Sequence, residues 1–453
     1  MNVHQLENSR VTVLGAARSG IGVAKLLRSK GARVLVSDQR PDDQLREAHA
    51  DLLASGIPLE TAGHSDRVFD ASLIVLSPGV PSDAPVVLEA ARRTIPIVSE
   101  LEVASWFCKV PLVAVTGSNG KTTTTTLIGR ILGDAKKKHV VAGNIGTAFS
   151  SVVLGLVEEE IVVLEVSSFQ LDHCESFRPG ISVLLNITKD HMDRYGHSME
   201  RYAASKARVF ANQKDGDTLI YCADDPWTAK IVSQAKCRKL PFSYSNHQAE
   251  GAWIQNGKMV LHVSNQRHDV VLLDQMTIRG VHNAYNAMAA VLAGFLSGVN
   301  PASMRATLRN FKGVEHRLEM VRDLNGVLFY NDSKATNVDS VRYALQAFTN
   351  PIILLLGGRD KGNDYSIIKS LVQERVKAIV ALGESAQKIE AAFRDVVSVS
   401  RANSMDEAVT SASRLSQPGD LVLLSPACAS FDWFTNYEHR GKVFKELVNR
   451  LPG

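Results

Sequence analysis

Short β-branched and aliphatic runs alternate with helix-length segments along almost the whole chain, and this alternation is typical of parallel α/β sheets. The runs fall into three groups, which begin at Val11, Arg33, Leu73 and Ile95, at Pro111, His139, Ile161 and Ile181, and at Gly326, Pro351, Lys377 and Asp420. The chain has 453 residues, and domains of roughly 150 residues are common. We therefore predict three α/β domains, at residues 1–104, 105–312 and 313–453.

Composition narrows the class of protein. The net charge is +4 and is not concentrated in a basic arm, which argues against nucleic-acid binding by phosphate neutralisation. No apolar stretch approaches the roughly 18 residues that span a bilayer, and the N-terminus lacks a secretory pattern. The five cysteines are widely spaced without a C-x-x-C pair, so we expect no disulfide framework or structural zinc. These features predict a cytoplasmic enzyme or binding protein.

Polar residues follow each strand-like run of the central group. They are Thr116 to Gly120, Asn144, Glu165, and Asn186 leading to Asp190 and His191. Open parallel sheets bind ligands beyond the carboxyl ends of their strands, so this pattern predicts one site at that edge. The more polar stretch from about 216 to 278 is expected to add an antiparallel piece.

The strongest single motif is TGSNGKTTTTT, from Thr116 to Thr126. It follows a strand and opens a predicted helix over 122–132. Its glycines let backbone N–H groups turn toward a polyphosphate, Lys121 would reach the terminal phosphates, and the Thr122 hydroxyl would bind Mg²⁺. Val115 stands where a strict phosphate-loop pattern has its first glycine. The alternative is a glycine-rich turn with an incidental lysine, but the strand–loop–helix context favours nucleoside triphosphate binding.

A second glycine loop, Gly15 to Gly20, is a partial dinucleotide pattern because Ala17 replaces its second glycine. Asp38 lies about 20 residues further on, where a ribose-binding acid would stand. The loop is equally compatible with a nucleotide-like ligand and with a tight turn that binds nothing. A nicotinamide dehydrogenase is therefore an alternative from another class.

Three further residues are candidates for a metal or phosphate site. Glu165 could supply a carboxylate to Mg²⁺, whereas a lone histidine such as His191 more often has a structural role. Lys206 falls on the apolar side of the predicted helix that begins at Met199. A lysine there could pair with phosphate or be neutralised by modification, or it could extend its ammonium group to water at the helix end.

Eight motifs taken together resemble the Mur ligase family. They are TGSNGKT, EVSSFQL, NITKDHMDRYG, YAASKARVF, GVHNAYNA, GVEHRLE, NDSKATN and SPACASFDWF. The last two are similar to the members that add D-glutamate. The resemblance implies a Rossmann-like UDP-binding N-terminal domain, a central P-loop-type ATPase domain with a parallel sheet, and a Rossmann-like C-terminal α/β domain.

The implied activity is an ATP-dependent ligation that joins D-glutamate to UDP-N-acetylmuramoyl-L-alanine through an acyl phosphate, releasing ADP and phosphate during peptidoglycan precursor synthesis. The implied partners are these small molecules, with no nucleic acid or membrane, and the chain would act as a monomer. A folate polyglutamate-adding ligase and a nucleotide-regulated binding protein without turnover are the alternatives closest to this interpretation.

The resemblance also implies roles for individual residues. Thr122 and Glu165 would hold one of two Mg²⁺ ions and His191 the second, with Lys206 carbamylated and facing it. ATP would contact Thr116, Gly117, Ser118, Asn119, Gly120, Lys121, Thr122, Asn283, Asn286, His316, Arg317 and Asp332. The catalytic set would be Lys121, Glu165, His191 and Lys206. Lys189 precedes Asp190 where relatives often have an acid, so the local charge is expected to differ.

Substrate contacts follow from the same resemblance. The uridine diphosphate would contact Ser19, Asp38, Gln39, Arg40, Ser77 and Gly79, and the sugar Asn144. The D-glutamate pocket would be lined by Lys334, Thr336, Lys361, Ser430, Phe431 and Tyr437, with Lys361 pairing with the side-chain carboxylate. Trp433 and Phe434 are expected to pack in the core, and a hinge is expected near 311–314.

Overall fold

The computed structural model describes residues 6–360 and 362–452, which form two compact units. The first unit comprises Met1–Ile187, Met192–Gln275 and Tyr285–Arg309. The second comprises Thr188–His191, Met276–Ala284 and Asn310–Gly453. Two sheets lie in the first unit and one in the second.

The N-terminal sheet is wholly parallel. Its five strands are β1 (Arg10–Leu14), β2 (Arg33–Ser37), β3 (Leu59–Glu60), β4 (Leu73–Leu76) and β5 (Ile97–Ser99), in the order β3-β2-β1-β4-β5. The helices that accompany them are α1 (Arg18–Ser29), α2 (Arg46–Ala54), α3 (Pro85–Arg92) and α4 (Glu100–Ser105). The order changes direction beside β1, so the loop after β1 opens at the crevice where such sheets bind ligands.

The central sheet has nine strands. They are β6 (Leu112–Thr116), β7 (His139–Gly143), β8 (Ile161–Glu165), β9 (Ile181–Leu184), β10 (Thr218–Cys222), β11 (Arg238–Ser243), β12 (Gly251–Gln255), β13 (Lys258–Val263) and β14 (Gln266–Leu272). Their order is β14-β13-β12-β11-β10-β9-β6-β8-β7. The predicted antiparallel piece is confirmed for β12 to β14, whereas β10 and β11 extend the parallel part.

Seven helices follow these strands in the described chain. They are α5 (Lys121–Asp134), α6 (Phe149–Val152), α7 (Ser168–Asp172), α8 (Met199–Ala207), α9 (Pro226–Ile231), α10 (Val281–Leu296) and α11 (Pro301–Asn310). The predicted helix after the phosphate loop is α5, which begins one residue earlier and ends two residues later than expected. Its buried side includes Leu127, Ile128, Ile131 and Leu132.

The C-terminal sheet has six strands. They are β15 (Glu319–Leu324), β16 (Val327–Asn331), β17 (Ile352–Gly357), β18 (Val376–Leu382), β19 (Ser398–Arg401) and β20 (Leu421–Leu424), in the order β15-β16-β20-β17-β18-β19. Within the described part of this sheet, the pair β15–β16 is antiparallel and the other pairs are parallel. The helices are α12 (Val338–Gln346), α13 (Lys369–Arg375), α14 (Ala386–Phe393), α15 (Met405–Leu415) and α16 (Tyr437–Arg450).

The three α/β sheets confirm the predicted fold class, and the exact domain limits stay a prediction. Side chains of β17 and β20 are buried throughout, as expected for strands covered by helices on both faces. The expectation that Trp433 packs in the core is wrong, because 37% of it is exposed, whereas Phe434 does pack against the core. Within the described residues no helix is long and apolar enough to cross a bilayer.

Candidate functional site

The loop between β6 and α5 has the backbone that a bound polyphosphate requires. Gly117 and Gly120 have φ angles of 154° and 85°, in the region that favours glycine. A Cβ on Gly120 would lie 2.2 Å from Oδ1 of Asn286 on α10, so a larger residue there would force the Asn286 side chain to move. The N-terminus of α5 faces the loop and adds a partial positive charge. The predicted phosphate loop therefore has both the required turn and the required helix.

Two lysines meet at one backbone oxygen of this loop. Lys121 Nζ donates to the carbonyl oxygens of Gly117 and Ser118, each at 2.8 Å. Lys206 Nζ donates to the same Gly117 oxygen, also at 2.8 Å. Two like charges on one acceptor repel each other, so this arrangement favours binding of an anion or loss of one charge.

Lys206 lies inside the protein, as the helical pattern predicted. It is 1% exposed, and its ammonium lies 4.5 Å from the ring centre of Tyr202, which is equally buried. The Tyr202 hydroxyl accepts a hydrogen bond from Ser118 Oγ at 3.1 Å, which ties α8 to the phosphate loop. The alternative in which Lys206 extends to water is wrong.

Thr122, Glu165 and Asn144 come together beside the loop. The Thr122 hydroxyl donates to Glu165 Oε2 at 2.7 Å, and Asn144 Nδ2 donates to Glu165 Oε1 at 2.9 Å. Glu165 is 2% exposed and has no ion-pair partner within 4.0 Å among the described residues. A buried carboxylate held only by neutral donors, with a hydroxyl oxygen beside it, is the oxygen donor set that Mg²⁺ prefers. These residues therefore fit a magnesium ion.

His191 lies in the second unit, whereas Thr122, Glu165 and Lys206 lie in the first. Its φ angle is 53°, an uncommon backbone conformation for a residue with a side chain. Its Nε2 lies 3.6 Å from Asp190 Oδ2, and that carboxylate oxygen also accepts from Asn337 Nδ2 at 3.1 Å. The role of His191 on a second metal ion stays a prediction.

The two asparagines predicted to contact adenine lie on the first turns of α10. Asn286 Oδ1 accepts a hydrogen bond from the Thr124 hydroxyl of α5 at 3.3 Å. Asn283 Nδ2 donates to the carbonyl of Arg279 at 2.8 Å. Asn286 and Thr124 belong to the first unit and Asn283 to the second. Only Asn286 is therefore joined to the phosphate loop by contacts within one unit.

The N-terminal sheet carries a cavity of about 660 Å³ at the carboxyl ends of its strands. Of the predicted uridine diphosphate contacts, the lining includes Asp38, Gln39, Arg40, Ser77 and Gly79. Ser19 lies on the first turn of α1 and is not among the described lining residues. The glycine loop after β1 thus opens onto a cavity, which favours a ligand over an empty turn.

Asp38 accepts hydrogen bonds from two neighbours in this cavity, Ala16 and Arg40. Its carboxylate accepts from the Ala16 N–H at 2.7 Å and from the Arg40 side chain at 2.8 and 3.0 Å. Burial alone would raise the pKa of Asp38, but the bonds from Arg40 and Ala16 outweigh it and lower the pKa to about 2. Asp38 is therefore ionised at neutral pH and holds the side chain of Arg40, which is 45% exposed, at the cavity.

His64 is one of several lining residues that the sequence did not predict. His64 lines the cavity, and its Nδ1 lies 2.8 Å from Ser37 Oγ. Burial lowers the pKa of His64. The histidine lies in a loop that has no recognisable motif. It reaches the cavity because the preceding strand β3 pairs with β2, a tertiary contact that the local sequence does not indicate.

In the second unit, Asp332 follows β16 and is 1% exposed. Its carboxylate accepts from Ser425 Oγ at 2.9 Å and from the Leu318 N–H at 3.3 Å, and Arg317 Nη1 lies 3.6 Å away. Burial raises the pKa of Asp332 to about 6. The structure thus brings Asp332 and Arg317 together, and their role toward a nucleotide stays a prediction.

His316 precedes this pair and is 3% exposed. Its Nδ1 lies 2.9 Å from Asn331 Nδ2, within a group that also contains Glu315 and Glu319. Lys445 Nζ binds both of these glutamates, at 2.6 and 2.9 Å. Because Lys445 already pairs with both glutamates, a salt-bridge network accounts for this group.

The predicted D-glutamate residues of the described chain lie on the loops after β16 and β20 and at the start of α16. Lys334 Nζ lies 5.0 Å from the ring centre of Tyr437. Ser430 is buried, Thr336 is partly buried, and Phe431 is 61% exposed. Lys361 lies outside the described residues, so its predicted pairing with a carboxylate stays a prediction.

Three family models match consecutive parts of the chain. The Mur ligase MurD-like N-terminal domain matches residues 9–99, the Mur ligase middle domain matches 115–294, and the Mur ligase glutamate ligase domain matches 316–428. Together they cover most of the chain. Each match contains one of the three sheets or the greater part of it.

Close relatives extend over the full length. A UDP-N-acetylmuramoylalanine–D-glutamate ligase from Salinibacter ruber is 45% identical over 462 residues and covers 100% of both chains. Ligases with the same name from Chloroherpeton thalassium and Koribacter versatilis are 44% and 43% identical, over 100% and 98% of this chain and the same shares of the relatives.

Solved structures share the fold at lower identity. The UDP-N-acetylmuramate-alanine ligase MurC of Thermotoga maritima has a TM-score of 0.61 and 19% identity, covering 97% of this chain and 99% of its own. MurF of Acinetobacter baumannii has a TM-score of 0.62 and 18% identity, covering 99% and 93%. These structures support the fold, while the sequence relatives point to the reaction.

Proposed function

Because this chain belongs to the Mur ligase family, we propose that it catalyses the ATP-dependent addition of D-glutamate to UDP-N-acetylmuramoyl-L-alanine, with release of ADP and phosphate. The observation that carries this proposal is the identity of 45% to a D-glutamate ligase over the full length of both chains. The product is a peptidoglycan precursor.

The chemistry begins with a poor acyl donor. A carboxylate has a bad leaving group and repels nucleophiles, so the L-alanyl carboxylate must first be activated. Its oxygen would attack the γ-phosphorus of ATP, the bond to the β–γ bridging oxygen would break, and an acyl phosphate and ADP would form. The D-glutamate amine then adds to the acyl carbon, loses a proton, and expels inorganic phosphate to leave the amide.

Lys121 is placed to neutralise charge in the first step. Two anions must approach each other, and a lysine at the phosphate loop lowers the electrostatic cost. Glu165 and Thr122 would hold Mg²⁺, which when bound draws charge from the phosphate oxygens. Asn144 keeps the Glu165 carboxylate in place through the bond to Oε1, and its contact with the sugar substrate stays a prediction.

We further propose that Lys206 is carbamylated. Its ammonium would first lose a proton, and the neutral amine would then form an N–C bond to CO₂ and release a second proton, so that a cation becomes an anion. The change removes the repulsion at the Gly117 oxygen, where Lys121 also donates. It also supplies a carboxylate-like group that suits a second Mg²⁺, with His191 as the other predicted ligand.

The substrate sites follow the carboxyl ends of the sheets. The cavity at Asp38 and Arg40 has the volume of a small-molecule site and would take the uridine diphosphate. The loops near Lys334, Ser430 and Tyr437 would take D-glutamate. A monomeric state and a cytoplasmic location remain predictions.

The proposal is tested by incubating the purified protein with UDP-N-acetylmuramoyl-L-alanine, D-glutamate, ATP and Mg²⁺. We expect one amide product by mass, with one ADP and one phosphate per product. With ¹⁸O in the L-alanyl carboxylate, one heavy oxygen should appear in the released phosphate. Formation of AMP, or phosphate without the label, would contradict the acyl-phosphate route, and glutamate addition to a folate would favour the related ligase.

The Asp332→Asn substitution is expected to weaken ATP binding and at the same time stabilise the protein. The folded carboxyl has a pKa of about 6 against 3.8 for its ordinary value. A raised pKa means that ionisation destabilises the fold as pH rises from about 4 to 6, so the neutral amide should add roughly 1–3 kcal/mol to the free energy of unfolding at pH 7.5.

Thermal unfolding and ATP titration check this prediction together. The stability advantage of Asp332→Asn should disappear below pH 4, where the native carboxyl is also neutral. The variant should bind ATP about tenfold more weakly if Asp332 contacts the ribose. Unchanged ATP affinity would remove the ribose role, and a loss of stability at pH 7.5 would contradict the charge argument.

A further inference from the structure

Arg440, on the first turn of α16, is a buried cation that the proposed mechanism does not use. It is 1% exposed. Its Nε donates to Ser333 Oγ at 3.0 Å, and its Nη2 donates to the Ser333 carbonyl at 2.8 Å. Ser333 lies two residues after β16, so this half of the guanidinium holds the loop that continues into Lys334.

The other half of the guanidinium holds the loop after β20. The Cys428 carbonyl accepts from Nη1 at 3.2 Å and from Nη2 at 3.1 Å, and the Ala429 carbonyl accepts from Nη1 at 3.3 Å. Ala427, just before them, has a φ angle of 60°. That conformation is unfavourable for alanine and persists only where the surroundings hold it. Arg440 is part of those surroundings.

A third loop reaches the same place. Arg359, two residues after β17, exchanges backbone hydrogen bonds with Ala429 at 3.0 and 3.1 Å. Because β16, β20 and β17 are neighbours in the sheet, their loops leave one edge side by side. The Arg440 guanidinium therefore joins two of these loops directly and reaches the third through Ala429.

The predicted D-glutamate residues depend on these loops. Ser333 Oγ donates to the Tyr437 carbonyl at 2.9 Å, and the Lys334 ammonium lies over the Tyr437 ring. Ser430 directly follows Ala429. A small movement of the Arg440 anchor would thus displace Lys334, Tyr437 and Ser430 together.

The charge of Arg440 is only partly compensated, because Asp332 and Asp432 stabilise it from a distance without accepting a hydrogen bond from it. All its hydrogen-bond acceptors are carbonyls and one hydroxyl, and no carboxylate of the described residues lies within 4.0 Å of it. Burial lowers the pKa of Arg440 to about 10, so the side chain still carries its charge at neutral pH. A buried cation is costly without a counter-charge. Its positive potential suits a pocket for an amino acid with two carboxylates.

Resting on the proposed function, we propose that Arg440 is the positioning residue of the amino-acid pocket. It holds the loops after β16 and β20 in the geometry that binds D-glutamate, and it adds positive potential without touching the substrate. Lysine keeps the charge but cannot form the planar fork that reaches both loops. The two contributions can therefore be separated by substitution.

The test compares Arg440→Lys and Arg440→Met with Arg450→Met, an exposed arginine at the far end of α16. Steady-state kinetics are measured for each substrate with the full-length protein. We expect KM for D-glutamate to rise about tenfold in Arg440→Lys and more in Arg440→Met, with KM for ATP and for the UDP-sugar within about twofold. Arg450→Met should match the native protein.

A milder variant guards against a failure to fold. Ser333→Ala removes the hydroxyl that joins Arg440 to Tyr437, and it should raise KM for D-glutamate about threefold while unfolding at a temperature close to that of the native protein. If the native protein ligates D-glutamate but both Arg440 variants keep its KM, the inference is wrong. An equal rise of KM for all three substrates would also overturn it. A native protein that ligates no D-glutamate would instead reject the proposed function.

Discussion

Replacing Lys121 with alanine is expected to lower ATP-dependent product formation by about 10³-fold. The ammonium lies on the carbonyls of Gly117 and Ser118, at the mouth of the loop, and would turn to the phosphates when ATP binds. Its loss removes a positive charge at the point where two anions must meet. The measurement is the initial rate of ADP release that depends on both other substrates.

Lys136→Ala is the matched control, because Lys136 lies in the exposed turn just beyond the other end of α5. It should retain the native rate. Lys121→Arg keeps the charge in a larger group and should recover only part of the activity. If Lys121→Ala forms product within tenfold of the native rate, the phosphate loop does not have the role proposed for it.

Lys206→Arg is expected to reduce product formation by at least about 10²-fold even though it keeps the positive charge. A guanidinium does not form a stable carbamate, and the larger group would lie against Tyr202 and the Gly117 carbonyl. The carbamate can also be detected directly, without measuring product formation, when labelled CO₂ is supplied. With ¹³C-bicarbonate, the native protein should show a carbamate carbon signal by NMR that Lys206→Arg lacks.

The control for this experiment is Lys214→Arg, an exposed lysine seven residues beyond α8. It should keep both the carbamate signal and the activity. Full activity in Lys206→Arg would remove the metal-bridging role. Absence of a carbamate signal from a fully active native protein would remove the modification while leaving the phosphate-loop roles intact.

The fold was largely predictable because parallel strands leave a local signal. The runs at 161–164 and Ile352–Gly357 are apolar throughout, as is typical of strands covered on both faces. The short strand β3 has only two residues, Leu59 and Glu60, and its pairing with β2 depends on tertiary contacts rather than on local pattern. The edge strand β15 was missed for a similar reason, since all its side chains are at least partly exposed.

The site was predictable where its reactive side chains are adjacent in the sequence or stand at the end of a strand. Thr122 follows Lys121 directly, and Glu165 ends a strand, so the motif itself indicated their meeting. Arg440 was not found, because its partners Ser333 and Cys428 are 107 and 12 residues away and no local pattern distinguishes it from a surface arginine. Only the structure shows that the Arg440 side chain is buried and joins two loops.

The close approach of Gly120 to Asn286 has a consequence for nucleotide choice. The side chain predicted to meet the nucleobase lies against the loop predicted to hold the triphosphate, since a Cβ on Gly120 would come within 2.2 Å of Asn286 Oδ1. We therefore expect a purine that shifts Asn286 to change the packing of this side chain against Gly120. Discrimination between ATP and GTP should consequently appear in the maximal velocity at saturating nucleotide, and not in affinity alone.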